Sequence, residues 1–296
     1  MKSVLSAVVC TLAATFASAC VVVDSQGHIV REEKRFTVSG RPELRLTTFD
    51  GAIDIRPGDG RDVVVEIEKR GPTKETVERL QVEAKQEGNR IEVEVKRPAE
   101  GAVFFGIGHH MSPTAKLIVT MPKEGDVVAR SGDGSIRIES VRGHLELRTA
   151  DGSIRAREIS GDILLETHDG SVVLDGVVGD IDLTTGDGSV SVSGKPGALK
   201  LKTGDGSITL RAEAGTVMKD DWSVSTGDGG VTLFLPSDFS ADIDAHTGDG
   251  TIRSELDVNA GGAGESERRT LRGRLGSGGK MLKIRTSDGS IRLKVS

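Results

Sequence analysis

Aliphatic and polar residues alternate along most of this chain, in short runs that end at glycine-containing turns. Beyond residue 36 the aliphatic side chains stand at every second position, as at Val63, Val65 and Ile67. Successive side chains of a β-strand point to opposite faces of the sheet, so this spacing predicts many short strands. Residues 73–80 break the alternation and predict one short helix with Thr73 as its N-cap.

The alternation becomes periodic from residue 133, where Asp-Gly pairs recur every 18 residues. A second glycine recurs halfway through each unit, as at Gly143 and Gly161, so one unit holds two strands and two turns. A hydroxyl residue stands two positions before each Asp, and we expect it to cap the turn while the glycine supplies a positive φ. The pairs assigned to structural repeat turns are Asp133-Gly134, Asp151-Gly152, Asp169-Gly170, Asp187-Gly188, Asp205-Gly206, Asp228-Gly229, Asp249-Gly250 and Asp288-Gly289.

Four aliphatic columns repeat with the same period, one through Ile136 and Ile154 and another through Leu147 and Leu165. Burying four such side chains stabilises a unit by roughly 6–12 kcal/mol. Ordering its backbone costs more than that, at about 1–2 kcal/mol per residue. A single unit therefore cannot fold alone, and the units must stack to share a core.

Two architectures satisfy this period. In a β-solenoid each unit is one coil, and equivalent strands stack in parallel about 4.8 Å apart. In an antiparallel meander each Asp-Gly pair is a hairpin turn. The constant period favours the solenoid. The predicted fold class is all-β, a parallel β-helix-like solenoid of two-strand repeats of about 18 residues, with a more irregular β N-terminal part and one short helix.

The start of the chain predicts export. Residues 4–16 are apolar and residues 17–19 form a small-residue cleavage site, which is typical of a signal peptide. Cys20 follows at once, so the segment resembles a bacterial lipoprotein signal and predicts lipidation of Cys20. The alternative is ordinary cleavage, which would leave a secreted or periplasmic protein. We assign a signal peptide (1–19), a tether (20–35) and one domain (36–296), made of an irregular β part (36–122), regular repeats (123–258), a loop (259–279) and terminal strands (280–296). Within the domain, we expect the hairpin near 81–96 to cap one end of the stack and residues 288–296 to cap the other.

Composition narrows the possible functions. The net charge is −6 and charged residues of both signs make up 28% of the chain, which predicts no basic face for nucleic acid. No nucleophile elbow or dinucleotide fingerprint is present, and residues 276–280 lack the spacing of a phosphate loop. We therefore predict no enzymatic activity, no catalytic residue and no cofactor.

The stacked Asp-Gly carboxylates raise the question of a cation ladder. Neighbouring carboxylates would repel by roughly 1 kcal/mol in water. Calcium takes about six to eight oxygen ligands, and one carboxylate per unit supplies too few, so no metal site is predicted. We expect arginines that follow the Ile after a turn to offset the repulsion instead, namely Arg137, Arg155, Arg253 and Arg292.

Two segments carry a family resemblance. Residues 203–210 read Thr-Gly-Asp-Gly-Ser-Ile-Thr-Leu and residues 222–229 read Trp-Ser-Val-Ser-Thr-Gly-Asp-Gly. Both resemble the DUF4097 family of bacterial adhesin-like proteins, as does Pro122 after the predicted strand 117–121. The resemblance covers roughly residues 36–296 and implies a β-helix-like fold in an envelope or surface setting. It brings no catalytic residues with it.

Export, repeats and resemblance together predict a non-enzymatic cell-envelope protein, an adhesin-like binding or structural module that presents a solenoid surface. The expected partner is an envelope protein or a glycan, and the lipid would anchor the protein to a membrane. One alternative is an envelope-stress sensor or regulatory partner. Another is a polysaccharide-active β-helix enzyme, which would need a clustered carboxylate pair with a raised pKa.

Overall fold

A computed structural model of the protein describes residues 19–24, 27–96, 112–259 and 269–296. The predicted signal peptide, apart from Ala19, lies outside the described residues. The prediction of an all-β protein with one short helix is confirmed. In chain order the elements are β1 (Ala19–Asp24), β2 (Gly27–Thr37), β3 (Glu43–Thr48), β4 (Ile53–Pro57), β5 (Asp62–Gly71), α1 (Lys74–Glu78), β6 (Gln81–Glu87), β7 (Arg90–Lys96), β8 (Thr114–Met121), β9 (Asp126–Ser131), β10 (Ile136–Glu139), β11 (Arg142–Thr149), β12 (Ile154–Arg157), β13 (Ser160–Thr167), β14 (Val172–Thr185), β15 (Val190–Lys202), β16 (Ile208–Ala212), β17 (Trp222–Ser225), β18 (Val231–Leu235), β19 (Ala241–Thr247), β20 (Ile252–Ser254), β21 (Val258–Asn259), β22 (Thr270–Leu275), β23 (Met281–Thr286) and β24 (Ile291–Val295).

The strands pair into two columns. In spatial order the first column is β6, β7, β3, β9, β11, β13, β14, β15, β17, β23, β19, β22 and β21. The second column is β1, β2, β5, β8, β4, β10, β12, β14, β15, β16, β18, β24 and β20. The long strands β14 and β15 belong to both columns and join them.

The repeat units lie side by side in parallel register. Leu147 is the partner of Leu165, and Ile136 is the partner of Ile154, so each residue lies beside the residue 18 positions later. An antiparallel meander would have placed Leu147 opposite Ala156, whose observed partner is Leu174. Like side chains are therefore stacked above like side chains in both columns.

The core lies between the two columns. Aliphatic side chains from both form one buried cluster, and polar residues alternate with them on the outer faces. Trp222 belongs to this core: its indole N–H donates to the carbonyl oxygen of Gly197 (2.9 Å), and its ring centroid lies 5.3 Å from that of Phe239. Trp222 therefore fills the interior where the strict period ends.

The helix and the hairpin have the predicted positions. Helix α1 begins after Thr73, whose side chain accepts a hydrogen bond from the Thr76 N–H (3.2 Å). Strands β6 and β7 pair antiparallel around Gly88, which has a φ of +61° that a glycine adopts without strain. Within the described ranges, no helix combines the length and apolar character needed to cross a membrane.

The predicted tether is partly a strand. β2 covers Gly27–Thr37 and pairs antiparallel with β5 along its length, with Phe36 buried. The segment is rich in charge, which suggested a solvated tether. Its charged residues instead pair across the strands, as Glu32 does with Lys69 (2.6 Å). The prediction of a tether is therefore wrong for residues 27–35.

The predicted loop 259–279 is also partly a strand. β22 pairs antiparallel with β19, and its arginines contact acidic residues of that strand, Arg272 with Asp244 (3.3 Å) and Arg274 with Asp242 (3.4 Å). This segment was not predicted as a strand because it is rich in glycine and charged residues, and only one face of the strand is hydrophobic.

The two-strand units that contain the first and last Asp-Gly turns, β3–β4 and β23–β24, do not lie at the ends of the stack. β3 lies between β7 and β9, and β4 lies between β8 and β10. Likewise β23 lies between β17 and β19, and β24 lies between β18 and β20. Strand β6 does form an edge, as the hairpin prediction required. The prediction that residues 288–296 cap the other end is wrong, because β19 and β20 continue the two columns beyond them.

Candidate functional site

The hydroxyl that precedes each repeat turn is buried and ties two neighbouring turns together. Thr149 Oγ1 accepts a hydrogen bond from the Gly152 N–H (3.2 Å) and donates towards the carbonyl oxygens of Gly132 (2.8 Å) and Gly134 (3.0 Å). The same arrangement recurs at the turns of Thr167, Thr203 and Thr286. These hydroxyls satisfy buried backbone groups and are not available to a ligand.

The glycine of each Asp-Gly pair is required by the closeness of the next turn. A Cβ on Gly152 would lie 2.1 Å from the carbonyl oxygen of Gly134, and across all eight assigned turns the corresponding distance is 1.9–2.1 Å. Gly152 does not have a φ in the left-handed region. The sequence-based reason, a positive φ, is therefore wrong. The reason is that stacked turns leave no space for a side chain.

The carboxylates of the repeat turns are exposed along one edge of the stack. Two of them have a basic partner: Asp169 lies 3.7 Å from His168, and Asp249 lies 3.4 Å from Arg269. In the ranges that the structure describes, no group of three or more His, Cys, Asp or Glu side chains has the arrangement of a metal site.

The arginines expected to neutralise these carboxylates do not contact them. Arg137 and Arg155 lie on β10 and β12, two residues from the end of each turn, and form no ion pair with a repeat-turn Asp among the described residues. Side chains stand roughly perpendicular to a sheet, so these arginines project from the outer face of the second column rather than along its edge. That part of the prediction is wrong.

These arginines instead line a groove on the outer face of the second column, across β4, β10, β12 and the start of β14. We call it the arginine groove. Its volume is about 480 Å³. The charged and apolar side chains that line it are those of Arg56, Arg137, Arg155, Arg157, Asp54, Glu139, Asp175 and Val173.

Each acidic residue of the arginine groove has a partner. Arg56 binds Asp54 through two hydrogen bonds of 3.0 and 2.5 Å, and Arg157 lies 3.1 Å from Glu139. The hydrogen bond that Arg56 donates to Asp54 is the main cause of a raised pKa of Arg56. Asp175 accepts a hydrogen bond from the Ser193 hydroxyl (2.7 Å).

Arg137 and Arg155 differ from the other charged residues of the groove because neither forms an ion pair or side-chain hydrogen bond within the described part of the chain. They are direct neighbours on parallel strands, which are about 4.8 Å apart. Two exposed guanidinium groups therefore stand side by side without an anion.

The sequence pattern contained part of this site. Arg137 and Arg155 occupy the same repeat position, so parallel stacking places them together. Predicting the partners of the flanking charges requires the register of strands that are distant in the chain, because Asp54 of β4 lies beside Arg137 of β10. Strands β5 to β9 lie between β4 and β10 in the chain, so the spacing of residues in the sequence did not predict this contact.

A second groove of about 390 Å³ lies on the outer face of the first column and is acidic. Its Asp180 accepts hydrogen bonds from Lys219 Nζ (2.6 Å) and the Ala198 N–H (3.0 Å), which lower the pKa of Asp180. Lys200 lies 2.9 Å from Asp182. Lysines neutralise Asp180 and Asp182. The grooves on the two outer faces differ in charge, because one is lined mainly by aspartates and the other by arginines as well as acidic residues.

The proposed lipidation residue is placed only by its backbone. Cys20 lies in β1, which pairs antiparallel with β2 at one end of the second column. Its side chain is outside the described part of the structure.

Comparison with known proteins gave a family match. Residues 42–294 match the family described as Toastrack DUF4097. Among solved structures, a putative adhesin from Bacteroides fragilis is 10% identical with a TM-score of 0.46, over 89% of this chain and 96% of that one. A putative adhesin from Parabacteroides merdae is 12% identical with a TM-score of 0.40, over 89% and 95%. A putative lipid binding protein from Parabacteroides distasonis is 12% identical with a TM-score of 0.32, over 89% and 96%. Likenesses at this level carry no argument about function, and no curated protein matches the sequence.

Proposed function

Because this chain belongs to the Toastrack DUF4097 family, we propose that it is a non-enzymatic, adhesin-like binding module of the bacterial cell envelope. In this proposal the two columns are the walls of a parallel β-solenoid with coils of about 18 residues. The solenoid is a rigid support, and its outer face binds a partner.

The observation that carries this proposal is the pair of unpartnered guanidinium groups in the arginine groove. The neighbouring charges Arg56 and Arg157 each have a carboxylate partner, whereas Arg137 and Arg155 have none among the described residues. Adjacent like charges on neighbouring strands destabilise a sheet. Their juxtaposition in a concave site favours a role in binding an anionic partner.

The lowered pKa values of four carboxyl groups disfavour a role for these groups as general acids. Within the described ranges, the carboxyl groups with a clear shift all have a lowered pKa. Asp244 is an example, because the hydrogen bond from Arg285 stabilises its charged form. A carboxylic acid that acts as a general acid near neutral pH needs the opposite shift.

We propose further that the protein is exported and anchored through a lipid on Cys20. The leader sequence supports this, and β1 would hold the lipid close to one end of the stack instead of at the end of a long tether. Metabolic labelling with a radioactive fatty acid should mark the wild-type protein and not a Cys20→Ser variant. Labelling of neither protein, with both found in the soluble periplasmic fraction, would favour ordinary secretion.

The binding function is tested by capture from intact envelopes together with a glycan array. We expect the purified protein to retain an envelope protein or glycan, and an Arg137→Gln/Arg155→Gln variant to lose that ligand. The matched control is Arg253→Gln/Arg292→Gln. It removes the same charge from two arginines that are also partners on adjacent strands, β20 and β24, but do not line the groove. The absence of any retained protein or glycan would refute a binding role.

A further inference from the structure

We propose that the arginine groove binds an acidic saccharide, with Arg137 and Arg155 holding its anionic group and the groove carboxylates accepting its hydroxyls. This inference rests on the proposed binding function and names the chemical class of the ligand. The residues proposed to bind the ligand all line the arginine groove.

The anionic group is assigned to the two unpartnered arginines. A guanidinium group offers five N–H donors in a planar fork that matches two oxygens of a carboxylate, phosphate or sulfate. Arg137 and Arg155 lie one strand apart, so a single anionic group can accept from both. The anion would also relieve the repulsion between the two positive charges.

The hydroxyl groups are assigned to the acidic residues of the groove. Asp175 uses Oδ1 for the Ser193 hydroxyl, and Glu139 uses Oε1 for Arg157, so in the described part of the chain Asp175 Oδ2 and Glu139 Oε2 have no partner. An ionised carboxylate accepts hydrogen bonds and does not donate them. These oxygens therefore favour hydroxyl donors and repel a second anion, which indicates a ligand with many hydroxyls and few charges.

The size of the groove agrees with a saccharide of a few rings. Its volume of about 480 Å³ lies in the range of small-molecule sites and exceeds what one inorganic anion needs. Val173, which is 39% exposed, adds an apolar contact for the C–H face of a sugar ring.

The charge of the protein disfavours the other anionic partner, a membrane surface. The chain has a net charge of −6, and attraction to anionic lipids depends on clusters of basic residues close to the membrane surface. The arginine groove is concave, contains three acidic residues and lies away from the end of the column where β1 is found. We therefore expect a sugar acid and not a lipid headgroup.

Isothermal titration calorimetry of the purified protein with sialyllactose, a trisaccharide that carries a single carboxylate, tests this assignment. We expect binding that weakens as salt is added, because exposed charges are screened. Loss of a hydrogen bond to an ionised group corresponds to about tenfold in affinity, so Arg137→Gln/Arg155→Gln should bind at least about tenfold more weakly. Arg253→Gln/Arg292→Gln should bind like the wild type. Circular dichroism of each variant establishes that the fold is retained.

Three further probes distinguish the sources of the anion. Neutral lactose tests the charge, inorganic phosphate tests a simple anion site, and vesicles of phosphatidylglycerol and phosphatidylcholine test a membrane. Binding of phosphate or vesicles without binding of sialyllactose would overturn the proposal, as would equal affinity of the wild type and Arg137→Gln/Arg155→Gln. If the wild type captures an envelope partner but binds no acidic saccharide, the ligand class is wrong while the binding function stands. If it captures nothing, the binding function itself fails.

Discussion

The buried hydroxyl of Thr149 provides a direct test of how the repeat turns hold neighbouring repeat units together. Thr149 is 7% exposed, accepts from the Gly152 N–H and donates towards two carbonyl oxygens of the preceding turn. The substitution Thr149→Val keeps the β-branched shape and the strand propensity but removes all three contacts. Its effect therefore measures the hydrogen bonds and not the packing.

The magnitude follows from what each group loses. The hydroxyl proton shared between Gly132 and Gly134 contributes about 0.5–1.5 kcal/mol net, as for a typical hydrogen bond. The N–H of the buried Gly152 would be left without an acceptor, at a cost of about 1–3 kcal/mol. We expect Thr149→Val to lower the free energy of unfolding by about 1.5–4.5 kcal/mol in total.

Urea unfolding followed by circular dichroism measures this loss. The matched control is Thr184→Val, which makes the same change on the outer face of β14, where the Thr184 side chain forms no hydrogen bond with another described residue. Thr149→Ser is the rescue variant, since Ser131 fills the equivalent position naturally and forms the same type of bond to Gly134 N (3.1 Å). The reasoning fails if Thr149→Val and Thr184→Val are equally stable, or if Thr149→Ser is no more stable than Thr149→Val.

Two further predictions concern the close approach of turns and the ion pairs of the outer face. Gly170→Ala should destabilise the protein by at least about 1–3 kcal/mol, because its Cβ would lie 1.9 Å from the Gly152 oxygen. Gly60→Ala should be nearly neutral in thermal unfolding, because its Cβ would make only an ordinary van der Waals contact, 3.8 Å from Asp62 N. Arg285 lowers the pKa of Asp244 in the folded state, so the stabilisation by this carboxylate is complete above its unfolded pKa of about 3.9 and is lost as the pH falls through the folded value. The stability difference between the wild type and Asp244→Asn should therefore be larger at neutral pH than at about pH 3, and a constant difference across that range would contradict this assignment.

The regular part of the fold was predictable because its contacts repeat with the sequence. Leu147 and Leu165 occupy the same position of consecutive units, and stacking the units makes them neighbours. The pattern also identified the turn hydroxyls as caps, and Thr149 does bond within its own turn. It did not indicate that the same hydroxyl reaches the preceding turn, because a cap within one turn already explains the residue.

The errors arose where one observation had two physical explanations. Glycine after Asp is compatible with a positive φ or with a close backbone contact, and only the distance from Gly152 to Gly134 distinguishes them. A charged segment is compatible with a solvated tether or with a strand whose charges pair across to a neighbouring strand. The ion pair between Glu32 and Lys69 shows that residues 27–37 form such a strand.

The same limit applies to the candidate site. Arg137 and Arg155 were recognisable as a repeating pair, but their environment depends on β4, which stacks on β10 although it is far away in the chain. Strand β4 contributes Arg56 and Asp54 to the groove. A periodic sequence identifies the equivalent residues of consecutive repeat units. A site formed between units that are not consecutive in the chain requires the register of their strands.

The spatial order of the strands differs from their order in the chain, and this difference has a consequence for stability. Repeat stacks open first at their terminal units, which have a neighbour on one side only. Here the units nearest the two chain ends, β3–β4 and β23–β24, have neighbours on both sides. Neither unit can separate before β7 and β8, or β19 and β20, have detached. The chain thus places other strands at the ends of the stack and encloses the units that contain the first and last Asp-Gly turns, which keeps the edge of the arginine groove at β4 covered by β8.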